Sequence, residues 1–189
     1  VLTKKSVAPV QMGLEELLEQ VPASIKGARV GLICNQASVD HGYHHAADLL
    51  HEHSGIELRA LFGPQHGIRG DVQDNMIETS HTLDKYTGLP VFSLYSETRE
   101  PTDEMLRNID VLVFDLQDVG CRVYTFIYTM ANAMTACAKF GKKFIVLDRP
   151  NPITGRMEGP LMDMAVREVA QSITGYFSVP LRHGMTVGE

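Results

Sequence analysis

With 189 residues, 44% apolar and 21% charged, the chain is long enough for one substantial core, and its formal charge of −6 with scattered Lys and Arg argues against a nucleic-acid partner. Its three cysteines, Cys34, Cys121 and Cys137, show neither CxxC nor metal-type spacing, so a disulfide framework is not implied and they read as small buried or half-buried residues. No stretch approaches membrane-spanning length, and the lysines of Val1 to Pro9 precede no apolar signal core, so any signal peptide is expected to have been removed already.

Met12 to Val21 carries Leu14, Leu17, Leu18 and Val21 on one stripe before Pro22, which predicts an amphipathic helix. Ala28 to Cys34 reads as the first strand and runs into Asn35, Gln36 and Ser38. That junction lacks both GxGxxG and the P-loop pattern, so no nucleotide cofactor is expected. His41, His44, His45, His51 and His53 crowd the next predicted helix. His41 and His45 fall one helical turn apart, but neither HExxH nor a third ligand accompanies them, and a solvated helix face accounts for them better than a metal.

Leu58 to Phe62 is the second predicted strand, followed by the loop Gly63 to Asp71, GPQHGIRGD. Its glycines permit close backbone approach to a ligand, and Gln65, His66, Arg69 and Asp71 bring mixed polar chemistry together, more than a plain turn requires. Val72 to Pro90 is a long polar connection of the kind that is more often functional or lid-like than idle. Pro90 to Tyr95 is the third strand, ending at Ser96, Glu97, Thr98 and Arg99. Pro101 to Ile109 then reads as a helix capped by Thr102, with Asp103 and Glu104 placed where the helix dipole favours acids.

The segment Asp110 to Arg122 organises the chain. Val111 to Phe114 is an unbroken apolar run, the pattern of a strand covered on both faces, and it stops at a cluster of Asp115, Gln117, Asp118 and Gly120. Tyr124 to Gly141 follows with helical period and a glycine stop, and Lys143 to Asp148 repeats the strand pattern before Arg149 and Pro150. Strand, helix and strand of these lengths make a right-handed βαβ unit. Asn151 to Pro160 is a predicted loop, Leu161 to Ile173 a moderately amphipathic helix, and Arg182 to Glu189 a loop entering a further helix.

The fold expected is therefore α/β: a three-layer, Rossmann-like domain over residues 1–189 with a mainly parallel sheet of about five strands. In such a sheet the ligand crevice lies outside the carboxyl ends of the strands, so the five strand-end clusters should share one rim. That rim would offer carboxylates at Glu97, Asp115 and Asp118, amides at Asn35, Gln65, Gln117 and Asn151, the His66 imidazole, and guanidiniums at Arg69, Arg99, Arg122 and Arg149. Each cluster alone is explained by helix capping, but the set suits a hydroxyl-rich ligand bearing an acid group.

The runs ALFGPQHGIRGD, GLPVFSLYSETREPT, MLRNIDVLVFDLQDVGCRVYT, VLDRPNPITG, EGP and PLRHGMTVGE resemble a bacterial family long classed as of unknown function and later described as exo-β-N-acetylmuramidases of the NamZ type. The resemblance spans nearly the whole chain. It implies a Rossmann-like N-terminal domain, a C-terminal domain absent from these residues, and removal of N-acetylmuramic acid from the non-reducing end of peptidoglycan fragments. Gln65 departs from the pattern, because many members carry glutamate there.

Under that resemblance the catalytic candidates are Glu97 and Asp115, with His66 for proton transfer and Gln65 at the motif position. The substrate-binding candidates are Asn35, Arg69, Asp118, Arg122, Tyr124, Arg149, Asn151 and His183, a guanidinium from Arg69, Arg122 or Arg149 holding the lactyl carboxylate. Retaining, inverting and substrate-assisted routes all stay open. No cofactor, metal, nucleic acid or membrane span is expected, and the substrate favours periplasm or exterior over cytosol. The alternatives are a carbohydrate-binding module that has lost the key acid at Gln65 and, last, a metal-dependent phosphoesterase using Asp115 and Asp118.

Overall fold

A computed structural model describes residues 10–64, 66–70, 82–95, 97–166 and 175–189. A mainly parallel sheet is built from β1 (Arg29–Cys34), β2 (Glu57–Gly63), β3 (Thr82–Leu83), β4 (Pro90–Ser93), β5 (Val111–Asp115) and β6 (Lys143–Val146), in the order β3-β4-β2-β1-β5-β6. The pairs β1·β2, β1·β5, β2·β4 and β5·β6 are parallel. The sixth strand, β3, adds antiparallel to β4 at the edge; two residues inside a polar connection carry no alternating pattern that would announce it.

Strand alternation sorts the core into two halves. Val30, Leu32, Val111 and Val113 point to one face, against Leu14 and Leu17 of α1 (Gly13–Glu19) and Ala46, Ala47 and Leu50 of α2 (Ala46–Glu52). Ile33, Phe62, Leu112 and Phe114 point to the other, against Met105 and Leu106 of α3 (Asp103–Leu106) and Ala133, Ala136 and Cys137 of α4 (Phe126–Phe140). The result is a three-layer α/β unit. Gly141 closes α4 with φ 66°, the left-handed conformation in which glycine meets no steric cost. Cys34 and Cys137 are buried and Cys121 is partly buried, all as free thiols, and burial pushes the Cys137 thiol up to about 11.

Three expectations are corrected. The histidines do not crowd a helix: α2 begins only at Ala46, so His41 and His44 lie on the preceding loop, His45 is its N-cap, His53 its C-cap, and His51 alone sits within it. The predicted loop through Pro160 and the helix expected from Leu161 instead contain β7 (Glu158–Leu161), which pairs antiparallel with β8 (Pro180–Arg182) in a separate small sheet; helix begins only at Met164, and residues 167–174 lie outside the described residues. His183 to Glu189 does not turn helical, because Asp148 holds it as a loop by accepting from Thr186 Oγ1 at 2.7 Å and Gly188 N at 2.9 Å.

The start of α1 touches the end of β6 closely. Gly13 N donates to Asp148 O at 3.0 Å, and a Cβ at Gly13 would lie 2.6 Å from backbone atoms of Leu147 and Asp148. Backbone cannot yield as a side-chain tip can. Gly13→Ala is therefore expected to cost about 1–3 kcal/mol by overpacking and to lower Tm by several degrees, which a thermal melt beside the parent chain measures.

Candidate functional site

From the central β1 the chain steps outward through β2 to β4 on one side, then returns to build β5 and β6 on the other. The carboxyl ends of β1 and β5 therefore diverge at a switch point, where open α/β sheets bind ligands. At that point β5 ends in Asp115, whose side chain is fully enclosed. Arg149, just beyond β6, forks onto it: Nε donates to Oδ1 at 2.6 Å and Nη2 to Oδ2 at 2.9 Å. Arg149 Nη1 also donates to the Val39 carbonyl at 3.0 Å and lies 3.4 Å from the Met12 sulfur. Burial pushes the Asp115 carboxyl above the ordinary range, with the Arg149 guanidinium pulling against it.

The β1 exit is tied to the same place. Asn35 N donates to Ser38 Oγ at 2.9 Å, Asn35 Oδ1 accepts from Ala37 N at 2.9 Å, and Ser38 Oγ donates to the Asp115 carbonyl. His45 Nδ1 accepts from Ala47 N, which puts the ring hydrogen on Nε2, facing the carbonyls of Asn35 at 3.0 Å and Ile68 at 3.1 Å. One imidazole thus caps α2 and pins the GPQHGIRGD loop to the β1 exit. From sequence, Ser38 is noted only at the strand end and His45 is weighed only against a metal, and neither is among the site candidates; an Asn-x-x-Ser pattern after a strand is the available signal for the first.

A second cluster follows β5. His183 Nδ1 accepts from Met185 N at 3.3 Å, so Nε2 carries the hydrogen and donates to Asp118 Oδ2 at 3.1 Å, where Gly120 N also donates at 2.7 Å. Asp118 Oδ1 is buried and has no hydrogen-bond partner among the described residues. Gly120 sits at φ 74°, and a Cβ there would fall 2.4 Å from Asn151 Oδ1, so only glycine lets the Asp118 turn close against Asn151. Asn151 Nδ2 in turn donates to the Met185 carbonyl at 2.9 Å.

The predicted residues therefore divide. Asn35, Asp115 and Arg149 form one connected group, and Asp118, Asn151 and His183 form another. Arg69 is engaged elsewhere: Nη2 donates to Asp48 Oδ1 at 2.7 Å and Nε to Asp84 Oδ1 at 2.8 Å, joining α2 to the turn after β3. Arg122 Nη1 donates to the carbonyls of Pro160 at 2.9 Å and Val179 at 2.6 Å, holding the small sheet to the main body. Tyr124 is exposed and meets Phe126 edge-on, Glu97 is exposed, and His66 is half-buried with φ 73°. Gln65 lies outside the described residues. An open depression of about 450 Å³ borders Arg149, lined also by Met12, Glu16, Asp148 and Thr186. Among the described residues no group of three or more His, Cys, Asp or Glu side chains is placed to hold a metal ion, and no helix is long and apolar enough to cross a membrane.

Comparison with known proteins places this geometry in a family. The family described as exo-beta-N-acetylmuramidase NamZ, N-terminal, matches residues 30–189. The chain is 50% identical over 181 residues, 95% of its length, to the peptidoglycan beta-N-acetylmuramidase NamZ of Bacillus subtilis, and it covers 42% of that protein. Two crystal structures of DUF1343 family proteins from Bacteroides fragilis superpose with TM-scores of 0.83 and 0.77 at 47% and 34% identity, each over 94% of this chain and 44% of theirs. The chain thus spans less than half the length of these relatives.

Two outcomes are expected from the ion pairs. Arg149→Met leaves the Asp115 carboxylate buried without its partner and is expected to cost about 3–5 kcal/mol in chemical denaturation, while adding Asp115→Leu recovers a large part of the loss. Burial alone would raise the Asp84 carboxyl, but the Arg69 guanidinium and the N–H and hydroxyl of Thr87 hold it well below the usual carboxylate range. A depressed folded pKa adds stability that is present above the unfolded value, about 3.9, and is lost as pH falls. Asp84→Asn should therefore cost about 1–3 kcal/mol at pH 7, the gap from the parent closing as denaturation is repeated at progressively lower pH below about 4.

Proposed function

The chain belongs to the exo-β-N-acetylmuramidase NamZ N-terminal family, and from that membership we propose that it forms the Rossmann-like part of a glycoside hydrolase releasing N-acetylmuramic acid from the non-reducing ends of peptidoglycan fragments. The observation that carries this reading is 50% identity across 95% of the chain with a protein named for that activity. The polar rim at the β1/β5 switch point supports it, since it gathers amides, carboxylates and imidazole where an α/β sheet receives its ligand.

Within this reading the roles follow from accessibility. Asp115 has each oxygen bonded to Arg149 and no exposed surface, so it positions the rim rather than exchanging protons with substrate. Glu97 is an exposed carboxylate on the loop after β4 and takes the acid–base role, with His66 assisting. Asn35, Asp118, Asn151 and His183 line and stiffen the cleft. Gln65 is an amide and has no carboxyl proton to give, which suits a substrate-assisted route in which the sugar's acetamido group attacks and protein side chains orient it.

The relatives are more than twice as long as the stretch they share with this chain, so the full cleft is proposed to need a second domain. Leu161, Phe177 and Leu181 stay exposed on and beside the small sheet, an apolar face suited to receive it. Losing one wall of an interdomain cleft removes positioning more than stability.

The test is turnover of a chromogenic N-acetylmuramic acid glycoside by the 189-residue chain, by a complete two-domain protein, and by its Glu97→Gln and Gln65→Glu variants. The complete protein should turn over, the short chain should fold with little activity, and Glu97→Gln should lower kcat by about 10²–10⁴ with a smaller change in KM. Binding without turnover in the complete parent, with turnover gained on Gln65→Glu, would instead establish the sugar-binding module. Equal turnover by the short and complete chains would overturn the placement of the cleft.

A further inference from the structure

We infer that Arg99 heads a carboxylate-binding pocket on the strand rim, and that it is this guanidinium which takes the lactyl carboxylate of an N-acetylmuramic acid ligand. The identity of the ligand rests on the function proposed above; the pocket itself does not.

Arg69 and Arg149 are forked onto carboxylates, and Arg122 is bound to two carbonyls, so the three arginines expected from sequence to hold an acid group are already occupied. Arg29, Arg59 and Arg182 are paired with Asp110, Glu57 and Glu158. Arg99 differs. Its Cζ stacks 3.6 Å from the Tyr95 ring centroid, and its Nη1 is buried with no hydrogen-bond partner among the described residues. An unpaired buried donor costs about 1–3 kcal/mol, and more on a charged group, so such an atom calls for an acceptor from outside.

Arg99 lines a cavity of about 20 Å³, room for one water-sized group such as a carboxylate oxygen. Thr125, Thr129, Asn132 and Tyr176 share the lining, and among the described residues no Asp or Glu does. The Thr129 hydroxyl donates to the Thr125 carbonyl at 3.2 Å, but the Thr125 hydroxyl and the Asn132 amide beside a planar cation suit a planar anion that accepts several hydrogen bonds. The Tyr95 ring holds the guanidinium plane, which lowers the entropy lost on binding. α4 begins beside Thr125 without an acidic residue in its first turn, which adds to the positive potential that the guanidinium supplies.

Position also fits. Leu94 and Tyr95 directly follow β4, and Thr125 precedes α4 on the chain leaving β5, so the cavity lies on the carboxyl side of the sheet with the rest of the rim. Glu97 is on the same loop, two residues before Arg99. A ligand anchored by its acid at Arg99 has its sugar ring outside the small cavity, beside that loop.

The test titrates the 189-residue chain, followed by NMR, with N-acetylmuramic acid, N-acetylglucosamine and lactate, in the parent, in Arg99→Met and in Asn132→Asp, with melts confirming that each variant is folded. N-acetylglucosamine lacks the lactyl acid and is the neutral control. The expected result is that both variants weaken N-acetylmuramic acid binding about tenfold or more and leave N-acetylglucosamine binding as it was. N-acetylmuramic acid binding unchanged in Arg99→Met overturns the inference, leaves the proposed function standing, and marks the cavity as a water site. Lactate binding lost in Arg99→Met, with neither sugar bound by the parent, upholds the pocket and overturns the sugar as its ligand.

Discussion

The rim of this protein depends on the buried pair of Asp115 and Arg149. A carboxylate at the end of a central strand, with no exposed surface, is tolerable only if a cation forks onto it, and Arg149 does so from the end of the neighbouring strand. Once fixed there, the guanidinium has a donor left for the Val39 carbonyl and a side that packs on Met12. The exits of β1, β5 and β6 and the start of α1 are thereby held in one arrangement. Ser38 closes the circuit from the β1 exit by donating to the Asp115 backbone.

This allocation shapes what the site can do. A carboxylate with no exposed surface, each oxygen accepting one hydrogen bond from a buried guanidinium, organises other groups and does not itself meet a sugar. Under the function proposed above, the chemistry falls to groups outside that buried pair: Glu97 on the loop after β4, His66 in the glycine-rich turn, and Arg99, whose buried Nη1 has no hydrogen-bond partner among the described residues. Buried polar contacts such as Asp115 with Arg149 lie beneath, and the groups proposed for chemistry lie on loops, a division that preorganised sites use.

The small sheet of β7 and β8 plays a different part. Arg122 reaches across to its carbonyls, and Cys121 bridges to Arg182, so the segment after β6 folds back onto the β5 exit and brings His183 to Asp118. The relatives share this stretch and continue for more than its length again. Leu161 and Leu181 stay exposed on the small sheet.

What the sequence alone determined is the layered sheet. Buried parallel strands need unbroken apolar runs, and their ends need polar residues, so Val111–Phe114 with Asp115 and Lys143–Val146 with Asp148 and Arg149 were legible without coordinates. The family motifs were legible for the same reason, being contiguous. The partners of each polar side chain were not. Which of Arg69, Arg122, Arg149 and Arg99 is committed depends on carboxylates and carbonyls at sequence separations from 15 to 110 residues, which only the packed chain brings within hydrogen-bond reach. The histidines were misplaced because helical spacing assumes a helix, and the chain starts that helix at Ala46 once His45 finds carbonyls at Asn35 and Ile68. Period is local and survives in sequence; the pairing of charges is a property of the tertiary fold, which sets the distances between them.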